Sequence, residues 1–261
     1  MNNVRPAAVA GLFYPDDASE LKHDIKTYLA QAQQNSTPPK AIIAPHAGYI
    51  YSGSIAASAY ACIAPVADRI NNVVLLGPAH RVPFPGLAAV SYDGFETPLG
   101  IVPVNQHAIQ NLLKFPQVKI FDEAHADEHS LEVQLPFLQI MLDEFQLIPL
   151  VVGDSSKKDV AEILEAVWGG DETLIVISSD LSHYNDYATA QKMDRTTSVT
   201  IERLQPEQLH YDMACGRNPI NGLLQLAKEK GLKVKTLDLR NSGDTAGPKD
   251  RVVGYGAYAF H

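Results

Sequence analysis

Five of the nine histidines stand at places where an imidazole could do chemistry. His46 follows the apolar run AIIA through one proline, His80 follows NVVLL through GPA, and His183 follows TLIVISS through DLS. His125 and His129 precede a predicted helix in DEAHADEHSLE. Imidazole titrates near neutral pH and is the commonest metal ligand, so these positions indicate proton transfer or metal binding. The remaining histidines fall in polar segments or at the terminus, where surface positions are expected: His23, His107, His210 and His261.

Three of these histidines can meet only if the strands before them lie side by side. In an open α/β sheet, side chains just beyond the carboxyl ends of parallel strands share one crevice, where ligands collect. One such histidine would more often be structural, whereas three at equivalent places indicate a functional site. The sequence contains no HExxH and no CxxC pair. The prediction of a site therefore depends on the fold.

Two carboxylates stand three residues away from two of the histidines. Asp180 precedes His183 in SSDLSH, and Glu132 follows His129 in EHSLE. Each could orient an imidazole through its second ring nitrogen, as carboxylates around metal sites do. For Glu132, a capping box at the helix start is an equally favoured alternative.

The chain has two cysteines, Cys62 and Cys215, which are far apart in sequence. A disulfide framework is therefore not expected, which favours a reducing compartment. Cys215 opens a predicted helix in CGRNPI, and a helix N-terminus would lower the pKa of its thiol. A small residue buried in the core is an equally favoured interpretation of Cys215.

Strands that alternate with helices must position these residues. Several strand-like runs are continuously apolar, as expected for strands covered on both faces. They lie at 41–44, 72–76, 86–91, 145–152, 173–179, 232–239 and 251–260. Helices are predicted at 16–34, 129–145, 156–170, 186–204 and 218–231, with Pro136 in the first turn of the second or kinking it. The alternation predicts a three-layer α/β domain, and no composition break divides residues 1–261.

The bulk composition excludes several classes of partner. The formal charge of −9 makes nucleic acid and anionic membranes unfavourable partners. No run approaches the ~18 consecutive apolar residues of a membrane span, and the first residues do not resemble a signal peptide. We therefore expect a soluble, cytoplasmic protein.

Several sequence blocks, taken together, resemble the Memo family, also called the AmmeMemoRadiSam system protein B family. They are RPAAVAGLFYP, APHAGYIYSG, LGPAH, DEHSLEVQLPFL, SSDLSHY, CGRNPI and VVGYGAYAF, and they extend over residues 5–260. The resemblance implies a fold like the catalytic subunit of class III extradiol dioxygenases, with a mixed, largely parallel sheet between helical layers. Those enzymes hold non-haem iron(II) with two histidines and a carboxylate, and another histidine acts as acid and base.

The resemblance also implies roles for individual residues. His46 and His80 match the two metal histidines. His183 matches the third histidine of the site, next to Asp180. His129 and Glu132 match a further family block, so we include them with His183 and Asp180 in the predicted catalytic set.

The third metal ligand departs from the family pattern. Animal Memo proteins have a cysteine near the segment that reads RNSGDTAG here, and this segment contains none. Asp244 is the nearest carboxylate, and it would complete a ligand set of two histidines and one carboxylate. Such a set suits iron(II), with zinc or copper as other candidates.

Two functions from different classes follow from the resemblance. The first is a non-haem iron-dependent oxidoreductase of the dioxygenase type, in which His183 moves protons. The alternative is a non-enzymatic binding or accessory protein that takes a small molecule or peptide in the same cleft and works with AMMECR1-like and radical SAM proteins. A hydrolase or phosphatase is less favoured, because no second carboxylate-rich block could complete a two-metal centre.

Overall fold

A mixed nine-stranded sheet forms the centre of the computed structural model, which describes residues 3–33 and 37–261. The predicted end of the first helix, at residue 34, lies outside the described residues. Within them the strands are, in chain order, β1 (Val4–Arg5), β2 (Ala41–Ala44), β3 (Asn72–Pro78), β4 (Leu87–Ala89), β5 (Gly94–Thr97), β6 (Gly100–Pro103), β7 (Val118–Ile120), β8 (Gln146–Val152), β9 (Thr173–Ser178), β10 (His183–Asn185), β11 (Val234–Asn241) and β12 (Val252–Phe260).

Helices connect most of these strands. In chain order they are α1 (Ala18–Gln31), α2 (Tyr49–Ala61), α3 (Gln106–Leu112), α4 (Glu123–Ala126), α5 (His129–Glu132), α6 (Leu135–Met141), α7 (Lys157–Ala166), α8 (Tyr187–Glu202) and α9 (Arg217–Glu229). Short 3₁₀ turns lie at Ala64–Val66, Pro206–Gln208 and Ser242–Asp244. No helix in the described parts of the chain combines the length and the apolar character needed to cross a bilayer.

The sheet is parallel at its centre, with antiparallel pairs on both sides of this centre and a further parallel pair, β4 and β7, at one edge. The strand order is β10-β12-β2-β9-β3-β8-β4-β7, and β11 also pairs with β12. Strands β2, β9, β3 and β8 are parallel neighbours, whereas β12 runs antiparallel to β2 and β4 antiparallel to β8. A separate small sheet has the order β1-β5-β6. This arrangement confirms the predicted α/β class with a mixed, largely parallel sheet.

Helices cover the sheet on both faces. Ser58 of α2 contacts Asp238 of β11 at 3.1 Å, and Ser198 of α8 contacts Thr236 of the same strand at 2.9 Å. The register of β11 shifts between Thr236 and Asp238, so the two side chains reach opposite faces. The central strands are consequently covered on both sides, and the AIIA run of β2 is fully buried.

Side-chain caps and one proline define the helix ends. Asp17 accepts hydrogen bonds from the backbone at the start of α1, Ser156 forms a capping box with Asp159 at α7, and Asp186 caps α8. The predicted helix over 129–145 is two short helices, α5 and α6. Pro136 lies in the first turn of α6, where its missing N–H costs no helical hydrogen bond.

Candidate metal centre

His46, His80 and Cys215 converge beyond the carboxyl ends of the central strands. One ligand atom from each lies within 4.8 Å of the others. The Cys215 Sγ is 3.3 Å from the His46 Nε2, and the two imidazole rings are 5.1 Å apart in an edge-on arrangement. His46 follows β2 and His80 follows β3, as predicted. Both strands pair with β9, and this brings the two histidines together.

His129 adds a third imidazole to this group. Its ring stacks on His80 at 4.7 Å between centroids and lies 5.4 Å from the His46 ring. The centroid of the Phe13 ring lies 4.7 Å from that of His129, so an aromatic side chain borders the site on that side. His80, Glu128 and His129 form a second set of ligand atoms within 4.8 Å of one another, and it shares His80 with the first.

Glu128 fixes the position of His80. Its buried carboxylate accepts a hydrogen bond from the His80 backbone at 2.6 Å and contacts the His80 Nδ1 at 2.8 Å. Burial raises the pKa of Glu128, but the hydrogen bonds and charge of His80 and the backbone of Ser130 outweigh it and hold the pKa at about 2. Because Nδ1 is engaged with this carboxylate, the Nε2 of His80 is the nitrogen available to a metal.

Two polar groups hold His46. Asp180 accepts a hydrogen bond from the His46 backbone at 2.8 Å, and Ser178 lies 2.9 Å from the His46 Nδ1. Burial raises the pKa of Asp180, while the His46 N–H and the charges of His183, His129 and His80 act in the opposite direction.

Two glycines allow the loops of the site to lie against the sheet. A Cβ on Gly77 in β3 would stand 2.6 Å from a methyl of Leu131 and 2.8 Å from the Ser130 Oγ, so glycine at this position lets α5, with His129, pack closely on that strand. A Cβ on Gly216 would stand 2.6 Å from the Ser179 Cβ. The Gly216 N–H donates instead to the Ser179 Oγ at 2.9 Å, and this contact holds Cys215 over the end of β9.

Burial favours the neutral forms of the His46 and His129 imidazoles and of the Cys215 thiol. It lowers the pKa of His46, and it lowers that of His129 to about 4 with help from the neighbouring His46. Burial, followed by the charge of Asp180, raises the pKa of Cys215 to about 12. Burial therefore outweighs the lowering expected from a helix N-terminus, in agreement with the alternative interpretation of Cys215 as a buried small residue. Neutral imidazoles are ready to bind a metal, whereas the thiol must lose its proton on binding.

Asp244, the predicted third metal ligand, belongs to neither cluster of potential ligand atoms among the described residues. Asp244 is exposed at the 3₁₀ turn after β11, where its carboxylate accepts hydrogen bonds from the Tyr187 hydroxyl at 2.5 Å and the Asn241 backbone at 2.9 Å. It caps that turn together with Asn241. Cys215, which lies elsewhere in the sequence, occupies the third position beside His46 and His80.

Glu132 also differs from its predicted role as a partner of His129. It is fully buried, and its carboxylate accepts hydrogen bonds from the Arg5 guanidinium at 2.5 Å and the Tyr14 hydroxyl at 2.6 Å. The backbone N–H groups of Ala8 and Val9 donate to it as well. These four donors occupy both oxygens, so Glu132 ties the N-terminal segment to α5 and does not orient an imidazole.

His183 lies at the edge of the site in β10, half-buried, and its ring contacts Tyr184. A positive charge on its ring would lower the pKa of both His46 and Asp180, which indicates that His183 lies near these two residues. Among the described residues it belongs to neither set of clustered ligand atoms. Asp180 hydrogen-bonds to the backbone of His46, and this differs from the expected pairing with His183.

The sequence analysis missed Glu128 and Ser178. Glu128 directly precedes His129, but its carboxylate turns towards His80, which is 48 residues earlier in the chain. Ser178 ends β9, a place equivalent to the ends of the strands that carry His46 and His80. That equivalence was the available signal for Ser178, whereas nothing in the local sequence connects Glu128 with His80.

The remaining histidine of the motif segment is structural. His125 is buried in α4, and its Nε2 lies 2.8 Å from the carbonyl oxygen of Ala88. Burial lowers its pKa to about 4.

Comparison with known proteins gives full-length sequence matches. The profile of the family described as Memo-like protein matches residues 5–259. A MEMO1 family protein of Aquifex aeolicus is 39% identical, with 97% of each chain covered. MEMO1 family proteins of Ignicoccus hospitalis and Thermoplasma volcanium are 37% and 34% identical, with 96% or more of every chain covered.

A solved structure resembles this fold at low sequence identity. The crystal structure of an uncharacterized protein from Escherichia coli K12 superposes with a TM-score of 0.55 and 12% identity. The alignment covers 84% of this chain and 98% of the other. At this identity the likeness concerns the fold alone.

Proposed function

The chain belongs to the Memo family, and from this premise we propose that its cleft binds one divalent transition-metal ion through His46, His80 and Cys215. The observation that carries the proposal is the convergence of three ligand atoms within 4.8 Å on loops that are distant in sequence. His129 stands beside this set and could supply a fourth ligand or hold a proton near a bound molecule.

The dimensions and chemistry of the three residues fit a metal ion. With metal–nitrogen and metal–sulfur bonds of about 2.0 and 2.3 Å, a tetrahedral ion separates its N and S ligands by about 3.5 Å. The observed separation of His46 Nε2 and Cys215 Sγ is 3.3 Å. The Glu128 carboxylate, which contacts the Nδ1 of His80, matches the hydrogen-bond partners that commonly orient metal-binding imidazoles.

The reaction class that we propose is metal-dependent oxidation or reduction of the non-haem type, with iron(II) as the first candidate ion. Replacing the expected carboxylate by a thiolate makes the set softer, which strengthens the case for copper or zinc as the bound ion. Zinc has no redox chemistry, so a zinc site would favour the binding role over the oxidoreductase. When bound, such an ion polarises a substrate and offers open coordination positions. His129 and His183 are the groups placed to take or give a proton, and Asp180 positions the backbone that carries His46.

Metal analysis of anaerobically purified protein tests the proposal. We expect about one ion per chain, and we expect His46→Ala, His80→Ala and Cys215→Ser each to lower metal affinity at least about tenfold. Asp244→Ala serves as the matched control, because its carboxylate is exposed and bonded to Tyr187 and Asn241. Equal metal retention by Cys215→Ser and wild type would remove Cys215 from the ligand set.

Oxygen consumption by the iron-loaded protein with a panel of catechols tests the reaction class. Uptake that depends on both the catechol and His129 or His183 supports a dioxygenase-type oxidoreductase. Metal binding without any uptake across the panel would contradict this part of the proposal.

A second candidate function is a binding or accessory role for the same cleft. It is favoured by large apolar side chains that are exposed and stand close in sequence to residues of the site. These are Leu12 beside Phe13, Ile50 at the start of α2, Tyr184 beside His183 in β10, and Tyr211 shortly before Cys215, each at least 63% exposed. Under this proposal a small molecule or peptide occupies the cleft, and AMMECR1-like and radical SAM proteins are the partners.

Calorimetric titration with purified AMMECR1-like and radical SAM proteins tests the accessory role. Saturable binding that Ile50→Asp weakens would support it. Ile101→Asp is the matched control, because Ile101 is also an exposed isoleucine but lies in β6, which carries no residue of the site. No heat of binding with either protein would contradict it.

A further inference from the structure

A continuous row of buried hydrogen bonds lies behind His46. The Tyr60 hydroxyl contacts the Gln134 Oε1 at 2.8 Å, and the Gln134 Nε2 contacts the Ser178 Oγ at 2.8 Å. The Ser178 Oγ in turn lies 2.9 Å from the His46 Nδ1. All four side chains are buried, with at most 1% of each residue exposed.

The position of every proton in this row follows from two carbonyl oxygens beside it, those of Pro45 and Ser130, which can only accept hydrogen bonds. A carbonyl oxygen can only accept, so the Gln134 group that lies 2.9 Å from the Pro45 carbonyl is its NH₂. The amide oxygen of Gln134 therefore faces Tyr60, which donates to it. The second amide hydrogen of Gln134 is then left to donate to Ser178.

The Ser178 hydroxyl has one hydrogen, and it donates this hydrogen to the Ser130 carbonyl oxygen. The Ser178 Oγ lies 2.5 Å from the Ser130 oxygen, a separation that two oxygens reach only with a hydrogen between them. Ser178 accepts from Gln134 with one lone pair. Only its second lone pair remains for His46, so Ser178 can accept a hydrogen bond from that ring but cannot donate one to it.

We infer that Ser178, held by Gln134 and Ser130, is a positioning residue that fixes His46 in the tautomer protonated at Nδ1. The lone pair of Nε2 then points at Cys215, 3.3 Å away, where the proposed metal binds. Asp180 does not oppose this tautomer, because its Oδ2 is 4.0 Å from Nε2 and too far for a hydrogen bond. The consequence for metal binding rests on the proposed function, whereas the tautomer itself does not.

The two metal histidines are thus prepared by different groups. His80 is oriented by the charged carboxylate of Glu128, and His46 is oriented by neutral hydroxyl and amide groups. Both arrangements leave the Nε2 of the ring free. The site therefore presents two imidazole lone pairs in place before a metal arrives.

Nitrogen NMR of metal-free protein labelled with [¹⁵N]histidine tests the inference, because the ring-nitrogen shifts distinguish a protonated from an unprotonated nitrogen. In the wild-type protein we expect His46 with a protonated Nδ1 and an unprotonated Nε2. In Ser178→Ala we expect a mixture of both tautomers and a loss of about 10–100-fold in Co²⁺ affinity. Ser198→Ala is the control, because Ser198 lies on α8, where it bonds to Thr236 of β11, and its replacement should change neither the tautomer nor the Co²⁺ affinity.

The wild-type spectrum decides the tautomer even if Ser178→Ala does not fold. A wild-type His46 that carries its proton on Nε2 overturns the inference, and so does an unchanged tautomer in folded Ser178→Ala. Unchanged Co²⁺ affinity in folded Ser178→Ala overturns the positioning role. A wild-type protein with the expected tautomer but no Co²⁺ binding would contradict the proposed metal site and leave the tautomer assignment standing.

Discussion

Glu128 and Glu132 are close in sequence, yet their surroundings give them different tasks. Glu128 meets His80 and holds its ring. Glu132 meets Arg5, Tyr14 and two backbone N–H groups and has no lone pair to spare for a histidine. Both lie near His129, so residue type and spacing alone could not distinguish the carboxylate of the site from the one of the core.

Glu128→Gln should weaken metal binding by about 10–100-fold, because the neutral amide holds and polarises His80 less strongly than the carboxylate. Competition with a chromophoric zinc chelator measures this affinity. Glu123→Gln is the control, since Glu123 is exposed in α4. Equal affinities for Glu128→Gln and wild type would show that His80 needs no carboxylate behind it.

Glu132→Ala should lower the free energy of unfolding by about 3–5 kcal/mol, because it leaves the buried positive charge of Arg5 without a carboxylate to pair with. Urea unfolding of metal-free protein measures this loss independently of metal binding. Glu165→Ala, which breaks the exposed pair with Lys230, should cost less than about 1 kcal/mol. If both variants lost a similar amount of unfolding free energy, the ion pair of Arg5 and Glu132 would stabilise the fold no more than a surface ion pair does.

At the level of elements, close approach of loops to strand ends creates the site. Helix α5 packs on β3 over Gly77, and the segment before α9 lies on the end of β9 over Gly216. The first contact brings Glu128 and His129 to His80, and the second brings Cys215 to His46. Each contact is a position where any side chain larger than hydrogen would collide.

Gly216→Ala should displace Cys215 and reduce metal affinity, because its Cβ would lie 2.6 Å from Ser179 and 2.9 Å from the Ser178 carbonyl oxygen. We expect a loss of stability of about 1–3 kcal/mol from this overpacking. Thermal unfolding and chelator competition measure the two effects. Gly48→Ala is the control, because its Cβ would make only ordinary contacts of 3.6 Å or more. Wild-type behaviour of Gly216→Ala would show that the Cys215 loop tolerates movement.

At the level of the whole molecule, stability should depend on pH through its buried histidines. Burial lowers the pKa of His125 and of His129 to about 4, and it lowers that of His46. Between an ordinary value of 6.5 and about 4, the unfolded chain binds protons that the folded chain does not. These histidines therefore make the folded state less stable as the pH falls through that window. Asp194 acts in the opposite direction, since burial raises its pKa to about 6.

His125→Gln should reduce this dependence by up to about 3 kcal/mol between pH 6.5 and pH 4, because glutamine can donate to Ala88 without titrating. Denaturant unfolding of metal-free wild type and variant at each pH measures the difference, which isolates His125 from the other groups. His107→Gln is the control, since His107 is exposed in α3. Parallel stability curves for wild type and His125→Gln would contradict the prediction.

The sequence by itself determined the placement of His46 and His80, the longer helices α1, α7, α8 and α9, and the strands β2, β3, β4, β8, β9, β11 and β12. It did not predict β1, β5, β6, β7 or β10. Apolar runs such as AIIA and NVVLL and caps such as Asp17 and Ser156 act through their immediate neighbours, so their effects can be inferred locally. Parallel pairing of such strands then puts the residues after them at one edge, which predicts that the two imidazoles meet.

Only the tertiary structure decided which groups complete the site. It brought Cys215 to His46 and Glu128 to His80, and it left Asp244 exposed on a separate turn. These pairings join segments 48 and 169 residues apart. Their formation depends on how closely loops pack over glycines and on which lone pairs other donors have already filled. Neither property is contained in the type of a residue or in its distance along the chain.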